Sequence, residues 1–342
     1  MEYQVEHILA NEQIQPENEV STNRNSPKLL DKAVILLDGG LGTTLEDQFD
    51  VEFSPQTPLW SSNLLISEPE TLLAVQTSFS RNGADIILTA TYQASFEGFA
   101  RTSPGYDRTT AAEYMRSAVR ITKLAIGNRN GLVALSLGAY GATMTPSQEY
   151  TGAYGEMESM EKLFSWHLDR ILPFREIWLE LDLIAFETLP RLSEIKAVRK
   201  VMQKAAMKPF WISCVFPNDD KLPDGSTIKE VVDAMLEGEK TPFAIGINCT
   251  KVHKMAGLIR QFEDAAVELP RLVIYPDGAG EQVYDTTTQK WVGDVGSRSW
   301  EEEVFQIVKE VQDRGRWKGI LVGGCCKTTP KHISRLKKCF EA

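Results

Sequence analysis

Short apolar runs of strand length recur along the chain, separated by longer segments in which apolar residues return every three or four positions. Eight runs stand out, over 34–37, 85–88, 132–137, 183–186, 210–215, 243–247, 272–275 and 319–322. Each is continuous rather than alternating, the pattern of strands buried on both faces of a parallel sheet. Between them lie helical periods. Glu68-Pro69-Glu70-Thr71-Leu72-Leu73 opens one, with proline and acids in its first turn, and Gly83 closes it. Others are predicted over 109–126, 156–180, 191–206, 227–238, 252–267, 299–314 and 331–340.

Eight strands alternating with helices predict an α/β protein, a (β/α)8 TIM barrel forming a single domain over 29–342. A doubly wound sheet competes, but the first strand is not followed by the GxGxxG turn of dinucleotide-binding sheets. Residues 1–28 are polar and without apolar period, which predicts a flexible extension.

Composition narrows the function. With 42% hydrophobic residues in 342, the chain can bury a large core. Its net charge is −10 and no basic run is interleaved with aromatics, so nothing is available to neutralise phosphates and nucleic-acid binding is excluded. The N-terminus lacks a basic start and an apolar core, and no uncharged apolar stretch approaches the roughly 18 residues of a membrane span. The expectation is a soluble, cytoplasmic protein with no membrane partner.

The five cysteines, at 214, 249, 325, 326 and 339, are few and odd in number, as in a reducing compartment. Cys325 and Cys326 are adjacent, and neighbouring Cα atoms about 3.8 Å apart are too close for an ordinary disulfide. Spacing alone leaves metal ligation and plain core packing both open. Topology shifts the balance, because chemistry in such barrels gathers at the C-terminal ends of the strands. That rule selects Asp38, the segment 89–93, Glu187-Thr188, Asn248-Cys249 and Cys325-Cys326. Three thiolates on one face suit Zn²⁺, whose catalytic sites hold three protein ligands and leave a fourth position open. Asp38-Gly39-Gly40-Leu41-Gly42-Thr43 could cradle a phosphate, but no Gly-Lys-Ser/Thr follows it.

With these residues in view, the sequence resembles the homocysteine S-methyltransferase family. The resemblance is carried by Gly246-Ile247-Asn248-Cys249 and Gly323-Gly324-Cys325-Cys326, and by Leu37 to Thr43, Pro58-Leu59-Trp60-Ser61 and Phe186-Glu187-Thr188, over roughly residues 33–335. It implies Zn²⁺ on Cys249, Cys325 and Cys326, the homocysteine sulfur in the fourth position, and methionine formed with a methyl group from S-methylmethionine or S-adenosylmethionine. Asp38 and Glu187 would hold the homocysteine ammonium, with the Gly39-Gly40 turn near its carboxylate and Asn248 in the same substrate-binding set. Trp60 and Tyr92 would face the cationic sulfonium.

The folate-dependent relatives need further domains for which the chain has no room. Betaine as donor, selenocysteine as acceptor, and a non-catalytic zinc-binding homologue are the alternatives. The last is motivated by two departures from the family pattern: Thr44 stands where members tend to have Glu, and Asp277 falls in Tyr275-Pro276-Asp277-Gly278-Ala279-Gly280 where they read Tyr-Pro-Asn-Ser-Gly; a further departure is Ala139 where they have Pro. A cysteine-nucleophile hydrolase would need a histidine base, and no histidine falls at a predicted strand end. His253 is not expected to be a ligand, since a closed four-ligand site leaves no place for substrate. His7, His167 and His332 are expected at the surface. Cys214 is expected to pack inside the fifth strand, and Cys339 is placed in the last helix, outside the metal set.

Overall fold

The computed structural model describes residues 26–54, 57–205, 208–218, 220–285, 287, 290–293 and 299–341. Most of the expected extension, residues 1–25, lies outside the described residues. Ser26–Leu30 form a short helix whose Leu29 packs with the barrel interior.

The barrel strands are β1 (Val34–Leu36), β2 (Ile86–Leu88), β3 (Leu132–Gly138), β4 (Leu183–Leu189), β5 (Phe210–Cys214), β6 (Ala244–Asn248), β7 (Arg271–Tyr275) and β10 (Ile320–Val322). Between the last two, β8 (Val283–Asp285) and β9 (Lys290–Val292) form an antiparallel hairpin that the apolar pattern does not announce. The eight barrel strands lie in one parallel sheet in the order β1-β10-β7-β6-β5-β4-β3-β2, a (β/α)8 barrel. Both sheet faces are buried, as the continuous runs require. Ile35, Leu37, Ile86, Leu183, Trp211 and Leu321 fill the interior, and a larger cluster lies between sheet and helices.

The ring closes between β1 and β2 through one parallel bridge, Leu37 to Ile86. Two carboxylates reinforce this seam. Asp85 Oδ2 accepts from the Leu36 N–H at 3.0 Å, and Asp38 Oδ2 accepts from the Leu88 N–H at 2.9 Å.

Local chemistry sets the helix ends. Asp107 caps Arg108–Ile126 by accepting from the Thr110 N–H, and Thr227 with Glu230 makes a capping box for Ile228–Leu236. The helix expected over 156–180 is three elements, a 3-10 turn Gly155–Met157, the helix Met160–Ile171 and a 3-10 stretch Leu172–Glu180. Pro173 explains the second break, because it has no N–H to donate and its ring clashes with the preceding turn. The helices Leu41–Phe49 and Phe96–Thr102 are too short to show a period and were not predicted.

His167 is not at the surface. It lies on the inward face of Met160–Ile171, fully buried, with Nε2 2.9 Å from Glu194 Oε1. Glu194 also accepts from the Tyr140 N–H at 2.6 Å and the Tyr154 hydroxyl at 2.8 Å, tying down both ends of the segment after β3. Burial lowers the His167 pKa, so the ring is held neutral. His332 is half-buried, its Nδ1 accepting from the Thr329 N–H at 3.0 Å at the start of the last helix.

Candidate active site

The C-terminal end of the barrel holds a cavity of about 110 Å³, sized for a small molecule rather than a polymer. Its lining draws on almost every strand end. Asp38, Gly39 and Gly40 come from β1, Thr89 and Tyr92 from β2, Ser136, Glu149 and Tyr150 from β3 and the segment after it, and Glu187 and Thr188 from β4. Asn248 and Cys249 follow from β6, Tyr275 from β7, and Gly324, Cys325 and Cys326 from β10.

The three cysteines meet there although they are separated by up to 77 positions in the chain. Cys249 Sγ lies 2.6 Å from Cys325 Sγ and 3.6 Å from Cys326 Sγ, and the last two sulfurs are 4.0 Å apart. Sulfurs about 2.3 Å from a tetrahedral ion are about 3.8 Å apart, so two of the separations fit such an ion and the third is closer. Among the described residues this is the group of three or more ligating side chains able to hold a metal. The electrostatics agree. Hydrogen bonds from the Cys325 and Cys326 thiols lower the Cys249 pKa well below its usual value, while the same bonds and burial hold Cys325 well above. Three thiolates packed this closely repel one another unless a cation sits among them.

Backbone chemistry sets this geometry. Gly324 and Gly40 permit close approach: a Cβ on Gly324 would lie 2.2 Å from Thr328 Oγ1, and one on Gly40 would lie 2.4 Å from the Cys325 carbonyl oxygen. The Cys325 N–H donates to Pro276 O at 2.9 Å, so the turn after β10 is fixed against the one after β7. Cys249 and Thr188 both adopt left-handed backbone, with φ of 48° and 60°. Each costs on the order of 1 kcal/mol for a residue with a Cβ. Asn248 holds the pair: its Oδ1 accepts from the Thr188 N–H at 2.8 Å and its Nδ2 donates to Thr188 Oγ1 at 2.7 Å. Its amide is therefore engaged with the neighbouring turn.

Asp38 and Glu187 are both buried in the cavity floor. Burial raises the Asp38 pKa well above its ordinary value, against the hydrogen bond from the Leu88 N–H. Burial pushes Glu187 up to about 7, against hydrogen bonds from Ser136 and Tyr275. The Ser136 hydroxyl donates to Glu187 Oε1, and the Tyr275 hydroxyl is braced by Ser213 at 2.6 Å and by the Trp211 indole N–H at 3.2 Å. No lysine, arginine or histidine is among the described residues lining the cavity. Carboxylates and thiols alone make it a receptor for positive charge.

The family model described as homocysteine S-methyltransferase matches residues 35–340. The chain belongs to the homocysteine S-methyltransferase family. A selenocysteine Se-methyltransferase of Brassica oleracea var. italica is 32% identical over 320 residues, covering 89% of this chain and 88% of that one. The homocysteine S-methyltransferase of Escherichia coli (strain K12) is 32% identical over 327 residues, covering 93% of this chain and 99% of its own. The crystal structure of the homocysteine methyltransferase MmuM from Escherichia coli, in metallated form, aligns with a TM-score of 0.74 at 29% identity, over 92% of this chain and 99% of that chain.

Within this homocysteine S-methyltransferase fold the residues selected from sequence separate. Cys249, Cys325, Cys326, Asp38, Gly39, Glu187, Asn248 and Tyr92 line one cavity. Trp60 does not line it; its ring lies against Gly42 and 5.2 Å from Phe53, while its neighbour Ser61 reaches the cavity. His253 is exposed, and Cys214 is buried in β5. Sequence reasoning missed Ser136, Tyr275, Glu149 and Tyr150. Ser136 is the lone hydroxyl in an otherwise apolar strand, a signal that was legible. Glu149 and Tyr150 lie in an irregular segment with no period to mark them.

The departures from the family pattern stand off the cavity. Thr44 is fully buried and its hydroxyl donates to Thr328 O at 3.3 Å. Asp277 accepts from the Ala279 N–H at 3.1 Å and pairs with Lys251 at 3.3 Å, which offsets part of its charge, while the carboxylate still acts on Cys249 and Cys326.

Proposed function

We propose that this protein transfers a methyl group from a sulfonium donor, S-methylmethionine or S-adenosylmethionine, to the sulfur of homocysteine, forming methionine. The observation that carries the reading is a cavity lined by buried carboxylates, with no lysine, arginine or histidine among the described residues of its lining, in which three cysteine sulfurs converge. The donor set is sulfur only, which favours zinc among the common ions. Cys249, Cys325 and Cys326 would hold it, and when bound it supplies a Lewis acid that keeps the acceptor sulfur deprotonated at neutral pH.

The protein's own contribution is placement. Glu187 and Asp38 accept hydrogen bonds from the acceptor's ammonium, and the floor network of Ser136, Tyr275, Ser213 and Trp211 fixes Glu187 in one orientation. The acceptor sulfur's lone pair takes the methyl carbon, and the S–CH3 bond breaks with its electron pair left on the departing neutral thioether. No proton is transferred to the leaving group, which fits a cavity without a histidine or lysine acid. Methionine formation by the zinc-loaded protein, with homocysteine and each of S-methylmethionine, S-adenosylmethionine and betaine, tests the reading; silence with every donor sinks it. Selenocysteine belongs in the same assay as acceptor, because a selenocysteine Se-methyltransferase is among the relatives at 32% identity.

Glu187 gives a prediction with opposite signs on stability and binding. Its folded pKa of about 7 lies above the ordinary 4.5, so the folded state binds this proton more tightly than the unfolded chain. The stability it contributes is present below the ordinary pKa and lost as pH rises through 7, by up to about 3 kcal/mol. The substrate-free Glu187→Gln protein should therefore melt higher than the parent at pH 8, with the difference vanishing near pH 5. Homocysteine affinity should fall by about 100-fold at the same time, as expected on losing a buried charge-assisted contact. Thermal melts at the two pH values and calorimetric titration read both.

Asp277→Asn tests the non-catalytic alternative. The amide keeps the bond from the Ala279 N–H and loses the pair with Lys251 together with a negative charge felt at Cys249 and Cys326, so kcat/KM should stay within about tenfold of the parent. A large gain would mean that the aspartate suppresses turnover.

A further inference from the structure

Glu149 has no place in the account so far. It lies between β3 and the helix Met160–Ile171, is 7% exposed, and its Oε2 is buried with no hydrogen-bond partner among the described residues. A buried carboxylate oxygen left bare costs free energy unless a ligand supplies the missing interaction. Glu149 lines the cavity shared by the three cysteines, and the adjacent Tyr150 places its hydroxyl 3.3 Å from Cys249 Sγ. The carboxylate therefore belongs to the wall beside the sulfur cluster. Burial first, and Glu149 after it, raise the pKa values of Tyr92 and Tyr150, and burial also pushes Glu149 itself up to about 7, so an arriving cation would hold it ionised.

The reaction brings in more positive charge than the floor receives. Asp38 and Glu187 already accept from Leu88 and Ser136 and suit an ammonium, which has N–H groups to share. A sulfonium has none, and is recognised by negative charge and aromatic faces. A carboxylate oxygen free of hydrogen bonds, with Tyr92 and Tyr150 in the same lining, has that chemistry. We propose that Glu149 faces the sulfonium centre of the methyl donor and makes the site select cationic S-methyl donors over neutral thioethers. The assignment rests on the methyl-transfer reading above. Because transfer neutralises the sulfonium, the attraction is greater in the bound donor than in the transition state, so Glu149 acts on donor KM more than on kcat.

S-methylmethionine and methionine share an ammonium and a carboxylate and differ in the sulfonium charge, so their affinities isolate it. Calorimetric titration of each into the zinc-loaded parent, Glu149→Gln and Glu149→Asp is the test. The parent should prefer S-methylmethionine. Glu149→Gln should lose about 10- to 100-fold in S-methylmethionine affinity while methionine changes by less than about threefold, and Glu149→Asp should keep part of the preference. Equal losses for both ligands, no loss for either, or loss of zinc or homocysteine binding in Glu149→Gln would overturn the assignment. None of these measurements needs turnover, so a parent without methyl transfer would sink the proposed activity and leave this comparison readable.

Discussion

Cys326→Ser should abolish metal binding and methyl transfer while leaving the barrel folded. A serine hydroxyl does not ionise near neutral pH and is a poor match for a sulfur-ligated ion, so the site falls from three thiolates to two. Metal content should drop from about one ion per chain to near zero, and activity should fall on the order of 1,000-fold or more. Cys326 is only partly buried, at the end of a turn whose backbone bonds do not use its side chain. The melting temperature of the metal-free variant should accordingly lie within a few degrees of the metal-free parent. Cys339→Ser, in the last helix, is the control and should retain metal and activity. Elemental analysis with a methionine-formation assay reads both proteins. Full activity in Cys326→Ser would refute the metal assignment.

Arg170→Met should be the most destabilising substitution considered. The guanidinium is 1% exposed and donates to four carbonyls, those of Ala94 at 2.8 Å, Gly138 at 2.8 Å, Thr91 at 3.1 Å and Tyr92 at 2.9 Å. Burial lowers its pKa to about 10, so it remains charged at neutral pH. It is held by backbone dipoles and by the Trp166 ring at 4.6 Å. Methionine fills much of the volume but takes a donor from each of four buried carbonyls, of which Thr91 O and Tyr92 O keep only the Ala94 and Gly138 N–H groups. At about 1 to 3 kcal/mol each, the loss should reach about 4 kcal/mol or more. The melting temperature should fall by roughly 10 °C. A change of less than about 2 °C would show that water replaces the guanidinium. Where the variant survives, donor binding should weaken further, because Arg170 fixes the backbone that carries Tyr92.

Much of the barrel was legible because its strands are buried on both faces, and each left an uninterrupted apolar run. The cysteine cluster was legible for a related reason: once the runs were taken as parallel strands, Cys249 and Cys325-Cys326 fell at strand ends on one face. What escaped was whatever the pattern of burial does not encode. The strands of the hairpin β8–β9 are three residues each, too short for an apolar run to register. His167 was assigned to the surface because helical period alone does not show that Glu194, 27 positions later, waits on the inner face. Asn248 was marked by its neighbour Cys249, yet its amide serves Thr188 across the sheet, a pairing fixed only by the register of β4 and β6. Glu149 escaped altogether, since an acid in a polar loop looks solvated until the fold buries it.

The strand β10 pairs with β1 on one side and β7 on the other, and Cys325 and Cys326 follow it at once. During synthesis, therefore, the ribosome delivers the last barrel strand and two of the three clustered cysteines in one short segment, after the other seven strands have emerged. Until then β1 and β7 present unpaired edges, and Cys249 has no partners with which to retain an ion. Closure of the sheet and assembly of the three sulfurs thus arrive together, so an ion held by all three could be held only once the last strand is in place.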